Sequence, residues 1–177
     1  EGTITARMHV TKNSEFPMIP RFGVRMILRE DMQNINYIGM GPYESYIDKH
    51  HASWHGAFSA SIDKMHEDYI MPQENGSHFD CSYVQISAPG ANDGADRTSH
   101  SIAVTSAVPF SMNASPYTAE ELTNAAHNYE LPESNKSVLC IDYRQNGIGS
   151  NSCGPELDEK YRFDEDEWEF GFTMHVK

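Results

Sequence analysis

The chain has few positive charges, few cysteines and no long apolar run. Its 177 residues carry 13 Lys and Arg against 26 Asp and Glu, a net charge of -13 at pH 7. Nucleic-acid phosphates are bound by clustered basic side chains, so this balance argues against a nucleic-acid partner. No stretch is long and apolar enough to span a bilayer, and no basic and apolar leader opens the chain. We therefore expect no membrane partner.

Three cysteines, Cys81, Cys140 and Cys153, form neither a disulfide framework nor a pattern typical of metal sites. Cys81 and Cys140 fall within strand-like runs, and we expect both to be small buried side chains. So low a count is typical of a reducing compartment, and a cytoplasmic location is the resulting expectation. The sequence also contains no nucleophile elbow, phosphate loop or dinucleotide fingerprint.

Alternating or β-branched runs recur along the chain, separated by turn residues. In the last of them, Trp168, Phe170 and Phe172 share one face, while charged and small residues occupy the other. Regular short strands of this kind predict an all-β fold, a large antiparallel β-sandwich formed as a single domain by residues 1–177. The predicted strands are residues 3–11, 23–28, 34–40, 81–87, 101–108, 138–143 and 168–176.

One short helix interrupts this pattern after residue 118. Thr118 has the character of an N-cap, and Glu121 lies three residues later, which is the spacing of a capping box. Leu122, Ala125 and Ala126 then form a narrow apolar stripe. We expect this helix to cover one end of the sandwich.

The segment RQNGIGSNSCGP, residues 144–155, follows a clear strand and is rich in Gly, Asn and Ser. Such residues supply positive-φ positions and local side-chain hydrogen bonds, so the segment is predicted to be a shaped loop. It is either a structural turn or a functional loop at the end of a sheet. Small neighbours would leave the thiol of Cys153 accessible, but a nucleophilic role would need a histidine base from elsewhere in the fold.

Two further groups of residues invite a catalytic or metal hypothesis. His51 and His55 in KHHASWH have helical spacing, but no helix and no acidic third ligand is evident. A polar face around Trp54 is the favoured interpretation. Glu44 in GPYESY and Glu74 in MPQENG could form the carboxylate pair of a glycosidase. Each lies beside Gly or Pro, so we favour carboxylates that lock turns by accepting backbone N–H bonds.

Four segments carry a more specific resemblance. They are PRFGVRMIL (20–28), YIGMGPYESYIDKH (37–50), YIMPQENGSHFD (69–80) and DYRQNGIGSNSCGPELDEKYRF (142–163), with FSMNASPYTAEELTNAAHNYEL (110–131) between the last two. Together they resemble the C-terminal domain of the large bacterial β-galactosidases of glycoside hydrolase family two. The same domain occurs as a separate small chain in two-subunit β-galactosidases.

The resemblance implies a galactose mutarotase-like β-sandwich with no catalytic residue or cofactor of its own. In that family the two catalytic glutamates, magnesium and sodium belong to a separate catalytic barrel domain, or large subunit, which would be the partner of this chain. The whole enzyme would hydrolyse terminal β-D-galactosides with retention. The domain would buttress the barrel and extend one loop to the aglycone side of the active site.

That loop corresponds here to Asn151, Ser152 and Cys153. Better-known members of the family have a tryptophan at the position of Cys153, and a thiol lacks the broad face on which a sugar stacks. We therefore expect a different preference for the leaving group.

Two other expectations remain open at this point. An independent carbohydrate-binding or mutarotase-like module would need an acid and a base on one face, with His51, His55 or Glu74 as candidates. The alternating pattern also begins at the first residues, as if the chain were part of something longer whose sandwich includes earlier strands. The first strand would then have an unpaired edge and could form a homo-oligomer through it.

Overall fold

The computed structural model of the chain describes residues 2–16, 18–90, 100–148 and 156–177. In this part of the chain eight β-strands and one short α-helix form, so the predicted all-β antiparallel fold with one helix is confirmed. Three short 3-10 turns lie between them, at Ile62–Met65, Asn128–Glu130 and Glu159–Tyr161. The elements are β1 (Gly2–Thr11), β2 (Arg21–Arg29), β3 (Asn34–Gly41), β4 (Trp54–Ser61), β5 (Ser77–Ser87), β6 (Ser101–Ser115), α1 (Ala119–Asn124), β7 (Lys136–Gln145) and β8 (Glu167–Val176).

Strand β6 is 15 residues long and joins the two parts of the sheet. Its first half pairs with β8, from Ile102 opposite Val176 to Ser106 opposite Phe172. Its second half pairs with β7, and β5 lies along its other side. The main path of the sheet is β1-β8-β6-β5-β3-β4, and β2 joins through β7. All of these pairs are antiparallel, and β1, β2 and β4 are the outer strands of the described sheet.

A single hydrophobic core receives side chains from all eight strands. Alternation along β3, β5 and β8 sends every second residue inward, as the pleat requires. Cys81 and Cys140 are buried, which confirms the prediction for both. The largest fully buried apolar side chains are Phe110, Phe163, Phe170, Ile35, Ile62, Ile86, Met112, Leu139 and Ile141.

Two parts of the sheet differ from the sequence-based expectation. The sequence does not predict β4, WHGAFSAS, because Gly, Ala and Ser have little intrinsic preference for strands. This strand pairs with β3, where Gly56 lies opposite Gly39. The predicted end of β6 at Val108 is also wrong. Pro109 cannot donate to a ladder, but it lies where the register against β5 shifts, and the strand continues to Ser115.

Helix α1 begins as predicted. The Thr118 hydroxyl accepts a hydrogen bond from the backbone N–H of Glu121 (3.2 Å), and the Glu121 carboxylate accepts one from the backbone N–H of Thr118 (2.8 Å). The capping box is therefore complete. The helix has six residues and buries Leu122. No helix in the described ranges has the length and apolar character needed to cross a membrane.

Candidate functional site

Residues from all four resembling segments meet at one end of the sheet. Arg21 comes from the start of β2, Glu44 from the turn after β3, Glu74 from the turn before β5, and Asp142 and Gln145 from the end of β7. Hydrogen bonds and ion pairs link these turns to one another. We refer to this set as the motif cluster.

Arg21 connects two carboxylates within the motif cluster. Its Nε donates to Asp142 Oδ1 at 3.3 Å, its Nη2 pairs with the same carboxylate, and its Nη1 pairs with Glu74. Gln145 also donates to Asp142 Oδ2, at 2.9 Å. The Asp142 side chain is only 3% exposed, and this burial raises its pKa even though Arg21 acts in the opposite direction. Gly23 permits this close approach of β2, because a Cβ there would collide with Asp142.

Glu44 joins two turns of the motif cluster. Its carboxylate accepts hydrogen bonds from Lys49 Nζ, from the Tyr46 and Tyr69 hydroxyls (3.2 and 2.8 Å) and from the backbone N–H of Gly76 (3.0 Å). Burial raises the pKa of Glu44, but the bonds from Lys49, Gly76 and Tyr69 outweigh that effect. The pKa of Glu44 therefore lies below its usual value. Gly76 has a φ of +70°, which favours glycine, so the turn that presents its N–H depends on this residue.

His78 lies beneath the same turns in the core. It is 2% exposed, its ring lies 4.6 Å from that of Tyr37, and its Nδ1 is 3.0 Å from the Met40 carbonyl oxygen. The Nδ1 therefore carries the proton and donates it to that oxygen. Burial lowers the pKa of His78 to about 4, so the ring is neutral at physiological pH.

The entry to the loop at 144–155 is held by three different parts of the chain. The N–H of Asn146 donates to the Pro20 carbonyl (2.9 Å), that of Gly147 to the Tyr161 carbonyl (3.2 Å), and that of Ile148 to Asp48 Oδ1 (3.0 Å). The loop therefore leaves the motif cluster from a fixed stem. Asn151, Ser152 and Cys153 lie outside the described residues.

The two histidines considered as metal ligands are both exposed. His51 stacks on His50 with ring centroids 5.1 Å apart, and His55 is the second residue of β4, paired opposite Met40 of β3. Across the described residues, no group of three or more His, Cys, Asp or Glu could hold a metal ion. Within the same ranges, no hydrogen bond joins His51 or His55 to Glu74.

Comparison with known proteins identifies the family of this chain. The family model of the β-galactosidase small chain matches residues 1–174. The chain belongs to this family. It is 43% identical to the β-galactosidase of Actinobacillus pleuropneumoniae and 37% identical to that of Staphylococcus xylosus, over 98% of the chain in each case. The β-galactosidase of Streptococcus thermophilus is 30% identical over 95% of the chain.

The chain spans 16% of the length of each of these three β-galactosidases. The match to the small-chain family therefore covers nearly all of this chain, whereas this chain covers only a small part of the length of each relative. The sequence alone does not indicate that Arg21, Asp142 and Gln145 contact one another. Each lies in a segment that carries the resemblance, but Arg21 is 121 residues from Asp142 and 53 from Glu74, and only the folded sheet brings them into contact.

Proposed function

We propose that this chain is the non-catalytic small-chain domain of a β-galactosidase that hydrolyses terminal β-D-galactosides with retention. The observation that carries the proposal is the match of 98% of the chain to one sixth of the length of β-galactosidases. The chain would buttress a catalytic domain or large subunit, and that partner would bind the galactoside together with magnesium and sodium.

The state of the two candidate carboxylates supports a non-catalytic role. Retaining hydrolysis needs an acid with a raised pKa and a nucleophilic carboxylate close to it. Glu44 has a lowered pKa and accepts four hydrogen bonds, while Glu74 is paired with Arg21. Both groups therefore have the partners expected of carboxylates that join turns.

An exposed apolar patch supports association with the catalytic part. Ile70 and Met71 are 80% and 70% exposed, and Tyr129 is 78% exposed. They are neighbours, because the Asn128 N–H donates to the Ile70 carbonyl at 3.1 Å. Apolar side chains grouped at a surface are typical of contact sites. We assign the remaining five sixths of a β-galactosidase as the partner that covers the patch formed by Ile70, Met71 and Tyr129.

The test is complementation. The purified chain should not hydrolyse o-nitrophenyl β-D-galactoside, and it should restore hydrolysis when added to the remainder of the enzyme. Met71→Ser should weaken the assembly, whereas Ile27→Ser, at an exposed position of β2, serves as the matched control. Hydrolysis of the galactoside by the chain alone would contradict the proposal. Mutarotase activity of the chain, measured by polarimetry, would contradict it as well.

We further propose that Asn151, Ser152 and Cys153 lie on the aglycone side of the assembled active site. The support is the fixed stem, in which Asp48, Pro20 and Tyr161 hold the residues that lead into the loop. Cys153→Trp would supply an aromatic face for the leaving group. The ratio of kcat/KM for lactose and for o-nitrophenyl β-D-galactoside should then change in the assembled enzyme. An unchanged ratio would argue against a role in the pocket.

A further inference from the structure

A cavity of about 330 Å³ lies between the β2–β7 pair and helix α1. This volume is at the lower end of the range for small-molecule sites, which is roughly 300–1,000 Å³. Leu122 and Val138 provide apolar wall, and Tyr117 provides an aromatic ring. The polar side of the cavity is formed by Arg21, Glu74 and Asp142 of the motif cluster.

Arg21 is held rigidly but retains hydrogen-bonding capacity toward this cavity. A guanidinium has five N–H donors; the contacts to Asp142 and Glu74 use three of them, and a hydrogen bond to Cys140 uses a fourth. Asp142 is almost fully buried, so it fixes the guanidinium in place from behind. One preorganised donor therefore remains, and the Arg21 side chain does not have to be ordered when a ligand binds.

The cavity also offers acceptors and a hydroxyl. Glu74 is 43% exposed, and only one of its oxygens contacts Arg21. Within the described ranges the Tyr117 hydroxyl makes no hydrogen bond, and its ring contacts His66 edge-on at 5.3 Å. An N–H donor, a carboxylate oxygen and a phenol thus belong to residues that line the cavity beside an apolar wall.

The charge balance selects the class of ligand. Arg21 and Arg25 are the two cations that line the cavity, and Glu74 and Asp142 are the two anions. Arg25 is already paired with Glu120 at 2.7 Å. With Arg25 paired to a residue outside the lining, Arg21 faces two carboxylates, so the described lining of the cavity has no spare cation for an anionic ligand and favours a neutral ligand with hydroxyl donors. Several hydroxyl groups on a compact ring would satisfy the donors and acceptors at once, and the ring's C–H face would contact Tyr117.

We propose that this cavity binds a neutral monosaccharide, a galactopyranose in keeping with the proposed function. The inference rests on the proposed function only for the choice of sugar. The hydroxyl groups of the sugar would bind Arg21 and Glu74, and its apolar face would lie against Tyr117.

The experiment measures binding of methyl β-D-galactoside to the chain by saturation-transfer NMR and isothermal titration calorimetry. We expect saturable binding that weakens about tenfold in Glu74→Gln, because a charged acceptor is lost. Tyr117→Phe should also weaken binding, and its size keeps the wall of the cavity intact. Glu133→Gln changes an exposed carboxylate outside the cavity lining and should leave the dissociation constant unchanged.

Absence of saturable binding would overturn the proposal, as would equal affinity of Glu74→Gln, Tyr117→Phe and the unmodified chain. Inorganic phosphate tests the alternative of an anion site. If phosphate competes with the galactoside, the cavity is an anion site centred on Arg21 and the proposal is wrong. Complementation of hydrolysis does not enter this measurement. Failure of sugar binding and failure of the proposed function are therefore distinguishable.

Discussion

Glu44, in a turn of the motif cluster, and His78, in strand β5 beneath it, respond to burial in opposite ways. Glu44 remains ionised because four donors surround its carboxylate, whereas His78 remains neutral because a carbonyl accepts its single ring proton. The sequence predicts the first role from the Gly and Pro beside Glu44. It does not predict the burial of His78, because a histidine in a strand has no feature that marks its face.

Replacing Glu44 with Gln should destabilise the fold without removing a catalytic group. The amide cannot accept from all four donors, and it loses the attraction to Lys49. We expect the free energy of unfolding in urea to fall by about 2 kcal/mol, the scale of a buried charged acceptor. In the assembled enzyme kcat per folded active site should be unchanged.

The matched control is Glu169→Gln, which alters an exposed carboxylate on β8. It should leave both the free energy of unfolding and kcat as they were. A Glu44→Gln variant with normal stability and no hydrolysis would identify Glu44 as catalytic.

His78 should make the stability of the domain depend on acid. Its pKa of about 4 in the folded chain lies below the ordinary value of 6.5, so the unfolded chain binds the proton first as pH falls. The contribution of His78 to the free energy of unfolding is complete above about pH 6.5. Between pH 6.5 and pH 4 this contribution falls by about 1.4 kcal/mol per pH unit.

His78→Asn retains a donor for the Met40 carbonyl and removes the titration. Urea denaturation between pH 7 and 4 should therefore show a shallower loss of stability in this variant. His55→Asn changes an exposed histidine with no such burial and should retain the original slope. If the unmodified chain, His78→Asn and His55→Asn lose stability equally steeply with falling pH, the acid dependence does not come from His78.

At the scale of elements, helix α1 is too short to be stable on its own and depends on its cap. Six residues provide few internal hydrogen bonds, so the capping box and the burial of Leu122 must hold it. Thr118→Ala removes the acceptor for the Glu121 N–H and should lower the free energy of unfolding by about 1 kcal/mol.

Thr123→Ala is the comparison for this change, since Thr123 is exposed in the same helix and alanine favours helical backbone. It should be neutral or slightly stabilising in the same urea titration. A loss of similar size in both variants would mean that the cap is not what holds α1.

The sequence predicts most strands and the start of the helix because both depend on local patterns. Seven strands have alternating or β-branched residues, and the cap needs only Thr118 and Glu121. Strand β4 and the second half of β6 depend on pairing with distant strands. The same is true of the Arg21 pairs and of the cavity, which form only when turns far apart in sequence meet.

At the scale of the whole molecule, the outer strands differ in how they are protected. Strand β2 carries three arginines, whereas β1 carries one charged side chain besides His9 and exposes Ile4. Charged residues discourage pairing between sheet edges. The chain alone should therefore self-associate through β1, as the sequence predicts for its first strand.

Ile4→Lys should reduce this association, which sedimentation velocity at several concentrations would measure. Ile38→Lys places the same side chain at an exposed position of β3, a strand paired on both sides, and should have no effect. Association that persists unchanged in Ile4→Lys would rule out the β1 edge.

The register of β1 against β8, with Gly2 opposite Val176, has a consequence for biosynthesis. During translation β1 leaves the ribosome about 165 residues before its partner strand, so β1 cannot pair with β8 until the chain between them has been made. A premature stop codon before Glu167 would remove the partner of both β1 and the first half of β6. We therefore expect late truncations to be more damaging to yield than their small length suggests, and ribosome-associated chaperones to matter most in the interval before β8 appears.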